Sequence, residues 1–231
     1  MKYLLFFFSA FILIACGSHK TISGIENAES QTYKMFIQED GYLSQTPAMI
    51  HVELIPKDYG FTYVRTLEGP GVSLIDSIYF NPDGQPREHV MKHYGTTKRV
   101  VYSKPNIFMI EQGDTARIIN EYDTVYDIMQ LDLVLRGYDT LGMRRDLPFF
   151  LPTTGDFAFY EIQEIRRDSV EAHWLTREKI PTVHRFAAGS GSLFEAWYTE
   201  GEVLPIKMRV RSSNSLYVYL RYIIEEGKSE D

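Results

Sequence analysis

Few side chains in this chain could do chemistry. Cys16 is the only cysteine among 231 residues, and six histidines are spread along the sequence. His89 and His93 stand at the i, i+4 spacing that puts two zinc ligands on one face of a helix. Glu88 precedes the first of them, so the order is not H-E-x-x-H, and two exposed polar histidines is the plainer reading. His173 and His184 could face each other across a hairpin, but one pair of imidazoles is not a site. Glu161 and Glu164 fall on opposite faces of a strand, so they cannot share acid–base work. Ala188-Gly189-Ser190-Gly191-Ser192 lacks the G-x-S-x-G order and reads as a hairpin turn. Neither a P-loop nor a dinucleotide-binding glycine pattern is present. The expectation is a non-catalytic protein with no catalytic residue, no metal ligand set and no cofactor.

Cys16 is placed differently from a random thiol. Lys2 supplies a positive charge, and Leu4 to Ile14 (LLFFFSAFILI) is an apolar run, the pattern of a secretory signal. A membrane-spanning helix needs roughly 20 apolar residues, and this run is much shorter. Leu13-Ile14-Ala15-Cys16 resembles the bacterial lipobox, in which a small residue precedes a cysteine. A thiol is needed to form the thioether to diacylglycerol, and cleavage before Cys16 frees an amine for a further acyl chain. Residues 1–15 are therefore read as an export signal, 16–30 as the lipidated cysteine and a flexible tether, 31–224 as one β-rich domain and 225–231 as an acidic tail. One acyl chain holds a protein only marginally, whereas two or more hold it stably. Gly17 is not acidic, which resembles the pattern sorted to the outer membrane. The expected place is the cell envelope, facing the periplasm, with the membrane as partner through Cys16.

Composition narrows the partners further. The formal net charge is −7, and removal of Lys2 with the signal makes the remainder more negative. A chain this acidic, with no Lys/Arg cluster, is not built to bind nucleic acid. With 16 Tyr and 14 Phe, it is rich in residues that favour strands.

Short strand-like runs alternate with turn signals. The runs are Tyr33–Gln38, Ala48–Pro56, Phe61–Thr66, Ser73–Phe80, Arg99–Ser103, Ile107–Glu111 and Ala116–Tyr122, then Phe157–Arg166, Val170–Thr176, Thr182–Ala188, Leu193–Thr199, Leu204–Arg211 and Leu216–Ile224. Asn81-Pro82-Asp83-Gly84, Gln112-Gly113-Asp114, Arg167-Asp168-Ser169, Glu200-Gly201-Glu202 and Ser213-Asn214 read as turns. Leu204, Ile206, Met208 and Val210 alternate with Pro205, Lys207, Arg209 and Arg211, giving one buried and one wet face. Leu216–Ile224 is apolar on both faces and needs cover on both. Thr124–Arg136 is the best helix, with Thr124 and Asp127 as a capping box and Gly137 past its end, although Leu131, Leu133 and Leu135 also alternate as a strand would. Gln85–Tyr94 is a second ambiguous stretch, with Pro86 at a helix start and Gly95 at a C-cap. The fold class is mainly β, an antiparallel meander with one or two helices.

From Tyr122 onward the chain resembles a family of exported bacterial proteins known as domain of unknown function 3108. The residues that carry the likeness are Val125-Tyr126-Asp127 through Leu135-Arg136-Gly137, and Trp197 through Lys207 (WYTEGEVLPIK). The resemblance implies a lipoprotein-carrier-like half-barrel, a curved antiparallel sheet covered by helix, with an apolar cavity that holds acyl chains. On that reading Ile128, Met129, Leu135, Trp197, Leu204, Ile206, Met208, Val210 and Val218 line the cavity. Asp132 belongs at its rim, because a buried carboxylate needs a partner. The aromatics Trp174, Tyr198, Tyr217 and Tyr219 are further candidates for the lining, ordinary core packing being the alternative. Two functions compete: a binder of an apolar or amphipathic ligand such as a lipid, and an accessory lipoprotein whose sheet docks a protein partner.

Overall fold

The computed structural model describes residues 28–39, 42–137, 146–172, 177–189, 191–211 and 215–222, the side chains of residues 39 and 164–166 excepted. The segment read as an export signal, Cys16, His173, Trp174, Ser190, the turn expected at Ser213-Asn214 and the acidic tail lie outside them.

The first half of the chain forms β1 (Glu29–Glu39), β2 (Tyr42–Lys57), β3 (Gly60–Gly69), β4 (Val72–Phe80), β5 (Pro86–His93), β6 (Thr96–Ser103), β7 (Asn106–Glu111) and β8 (Asp114–Ile119). Each pairs antiparallel with the next. Local turn chemistry drives this meander. Tyr94-Gly95 and Gln112-Gly113 both have positive φ at the two central positions, the two-residue hairpin turn whose twist matches the flanking strands. Gly60 is required for a different reason. Its φ is +132°, and a Cβ there would lie 1.9 Å from the Phe80 carbonyl oxygen.

The second half supplies β9 (Tyr126–Asp127), a 3-10 turn (Ile128–Gln130), α1 (Leu131–Gly137), β10 (Asp146–Leu151), β11 (Asp156–Glu171), β12 (Lys179–Gly189), β13 (Ser192–Tyr198), β14 (Lys207–Arg211) and β15 (Leu216–Arg221). Strands β10 to β15 form another antiparallel meander, and β9 adds to β10 in parallel. The two halves join where β15 pairs with β1, Tyr33 opposite Arg221 and Gln38 opposite Leu216. Among the described residues the result is one curved, open sheet of fifteen strands with β8 and β9 at its edges.

The two ends of the sheet meet through side chains. Val100 and Ile107 share a buried cluster with Val125 and Phe150. Lys98 Nζ donates to the Thr153 carbonyl at 3.3 Å. Leu133, Val134 and Leu135 of α1 are fully buried, in the same cluster as Tyr33, Ile50 and Tyr63 of one meander and Phe149, Ala187 and Tyr198 of the other. Each such side chain contributes about 1.5–3 kcal/mol by leaving water.

Several sequence expectations are corrected here. The ambiguous stretch Gln85–Tyr94 holds strand β5 (Pro86–His93), paired on both sides, and Gly95 serves a hairpin rather than a helix end. Arg167-Asp168-Ser169 is not a turn but part of the 16-residue β11; Asp168 accepts bonds from the Ser169 amide and the Trp197 indole, which accommodates turn-prone residues in a strand. Strand β10 (DLPFFL) was not expected, because Pro148 masks the apolar run around it. The helix begins later than Thr124: the capping box is made by Asp127 and Gln130. Pro205 has no amide hydrogen to add to a ladder, and β14 starts only at Lys207.

Candidate functional site

The site starts at Asp127. Its Oδ1 accepts the Met129 amide at 2.8 Å, and its own amide donates to Gln130 Oε1 at 3.1 Å. Those two bonds fix the start of the helical segment and so fix the residues that follow. Asp132, one turn on, is only 4 % exposed. Tyr63 Oη donates to its Oδ2 at 2.5 Å, and Tyr198 Oη donates to its carbonyl at 2.5 Å. These two tyrosines come from opposite halves of the sheet, so Asp132 clasps the helix to both. Burial raises the pKa of the Asp132 carboxyl, while Arg65, the Tyr63 hydroxyl and the Leu133 amide act against that rise.

Beside Asp132 lies a cavity of about 240 Å³. Its apolar wall is Ile128, Met129, Leu131, Phe194, Met208 and Val210; Arg65, Tyr160, Ser192 and Tyr219 add polar atoms. Larger hollows elsewhere have other characters. One of about 440 Å³ is bounded by polar turns that carry Asn81, Lys104 and Asp123. Another of about 390 Å³ lies at the C-terminal end of α1, where Arg185 is committed to the carbonyls of Leu135 and Arg136.

Of the nine cavity residues read from the sequence, Ile128, Met129, Met208 and Val210 line this cavity. Leu135 and Leu204 are fully buried in the main core instead. Trp197 and Ile206 belong to a separate cluster with Val170. Trp197 sits between Ala196 and Tyr198, which both join the main core, so strand alternation turns it to the other face. There it stacks on His184 at 4.1 Å, and Glu195 Oε1 lies 3.2 Å from His184 Nε2. Val218 likewise alternates with Tyr219, which lines the cavity, and so faces away from it. Asp132 lies in the wall and not at an open rim, with Tyr63 as the partner it needs. Tyr219 lines the cavity, while Tyr198 is spent on the helix.

Sequence reasoning missed His89. It is fully buried, not exposed. Its Nδ1 lies 2.8 Å from Asp127 Oδ2, and its Nε2 lies 3.3 Å from Asp76 Oδ1. Tyr102 Oη donates to the same Asp127 oxygen at 2.5 Å. Burial acts to lower the His89 pKa, but the charge and hydrogen bond of Asp127, followed by those of Asp76, outweigh it and raise the value to about 9. Between them the two carboxylates engage both ring nitrogens, so the group supports the helix start. Among the described residues no three His, Cys, Asp or Glu side chains are arranged to hold a metal ion.

No family model matches the chain, and no curated protein matches it. Among solved structures it is similar to a β-barrel-like protein of domain of unknown function DUF1849 from Brucella abortus. The TM-score is 0.54 at 5 % identity, over 84 % of this chain and 95 % of that one. At that identity the likeness is one of fold: a curved, barrel-like β-sheet.

Proposed function

We propose that the protein is a membrane-tethered, non-catalytic binder that holds a small apolar or amphipathic ligand in the cavity beside α1. On this reading Cys16 carries the lipid anchor, and the helix covers the concave face of the sheet as a lid, as the resemblance to lipoprotein-carrier-like half-barrels implies. The observation that carries it is the apolar wall of the 240 Å³ cavity, built by Met129 of the helical segment against Met208 and Val210 of β14. Binding pockets are concave and mostly apolar with a few placed polar groups. The volume falls below the roughly 300 Å³ at the low end for drug-sized ligands, which favours one short chain over several acyl tails.

Native mass spectrometry of the purified full-length protein tests this. A non-covalent adduct, lost on activation while the covalent mass stays, is the expected result. A protein free of any such adduct, which also fails to take up an added apolar probe, would favour the protein-docking reading.

A further inference from the structure

Arg65 carries more than the proposed function uses. It comes from the middle of β3, with Tyr63 on the same face, and it reaches the cavity wall. Among the described residues its guanidinium has one side-chain hydrogen-bond partner, the Met129 thioether at 3.8 Å. A thioether is a weak acceptor, and guanidinium offers five donors that cannot be shed by deprotonation. No ion pair of Arg65 occurs among the described residues; Asp132 and Asp76 act on it only through space. Asp132 is itself engaged by Tyr63 and by the Leu133 amide. Arg65 is thus a partly buried cation in a mostly apolar wall with no carboxylate in ion-pair contact, and an arginine fork matches carboxylate and phosphate geometry.

We infer that the cavity takes a single-chain amphiphile with an anionic head, the head paired with Arg65 and the chain lying along Met129, Phe194, Met208 and Val210. This rests on the proposed function and specifies its ligand. The neighbouring Asp132 sharpens the choice of position. A head seated on the Arg65 side gains the guanidinium, whereas one on the helix side meets a carboxylate.

The test uses the full-length chain carried in nanodiscs, with empty nanodiscs subtracted. Octanoate, octyl phosphate and octanol are compared as competitors of the neutral probe N-phenylnaphthylamine, in the wild type, R65M and R65K. The wild type should prefer octanoate or octyl phosphate over octanol by about tenfold or more, the factor a charge-assisted hydrogen bond confers. The better of the two anions identifies the head. R65M should lose the preference while octanol binding persists, and R65K should retain part of it. Equal competition by octanoate, octyl phosphate and octanol in the wild type would overturn the anionic head and leave apolar binding intact. That comparison decides even if R65M does not fold. A preference undiminished in R65M would also overturn it. No probe binding at all would remove both readings.

Discussion

His89 links three parts of the chain that lie far apart in sequence: Asp76 on β4, Asp127 at the helix start and, through Asp127, Tyr102 on β6. Because its folded pKa is raised from 6.5 to about 9, the folded protein binds this proton more tightly than the unfolded chain. The resulting stability is fully present below about pH 6.5 and is lost as pH rises through about 9. A shift of that size corresponds to on the order of 3 kcal/mol. Urea unfolding of the wild type at about pH 6 and about pH 10 should show that loss, and His89→Asn should show much less of it. Equal pH dependence in the two proteins would show that another group is responsible. Nothing around His89 reveals this role. The local sequence Glu88-His89-Val90 is compatible with an exposed position, and both partners arrive only through long-range pairing.

At the scale of elements, strands were more legible than what they face. Hydrophobic alternation and turn residues are local signals, so most strands of both meanders could be placed from the sequence. Strand β10 was hidden by Pro148, and β5 by a Pro86…Gly95 frame that mimics helix ends. Strand β14 shows the limit within a single element. Met208 and Val210 do face the cavity, as alternation implies. Ile206, ahead of the strand, turns instead to Trp197. Lys207, expected to be simply wet, lies with its Nζ 5.0 Å over the Trp197 ring. Burial, then neighbouring Arg209, lowers the Lys207 pKa. Met208→Asp should therefore cost several kcal/mol, as an unpartnered buried carboxylate does. Lys207→Ala should cost less, about 1 kcal/mol, the worth of a partly desolvated cation–π contact. Denaturant midpoints of the two variants check this; similar losses would mean that the assigned faces are wrong.

For the molecule as a whole, the decisive contact is the least local one. Strand β1 pairs with β15 across nearly the whole chain, and no turn between them announces it. That pairing joins the two meanders into one sheet, which lets Tyr63 from one half and Tyr198 from the other reach Asp132. Four of the nine expected lining residues face the cavity because alternation fixes faces within a strand but not which faces meet. The proposed membrane tether is a separate matter, and its motive is the Leu13-Ile14-Ala15-Cys16 box in the sequence. Cys16→Ser should move the protein from the detergent to the aqueous phase on detergent partitioning, or leave it with its leader uncleaved. Unchanged partitioning of a normally processed chain would contradict lipidation at that position.

The cavity is the central claim, and filling it is the most direct test. Val210 lies in its wall and is only partly buried, so a larger side chain there can occupy the space without displacing the main core. Fluorescence titration with N-phenylnaphthylamine should show saturable binding at one site in the wild type. Val210→Trp should abolish that binding while its unfolding midpoint stays close to that of the wild type. A wild-type protein with no saturable site, or a Val210→Trp protein that binds the probe as well as the wild type, would contradict the account.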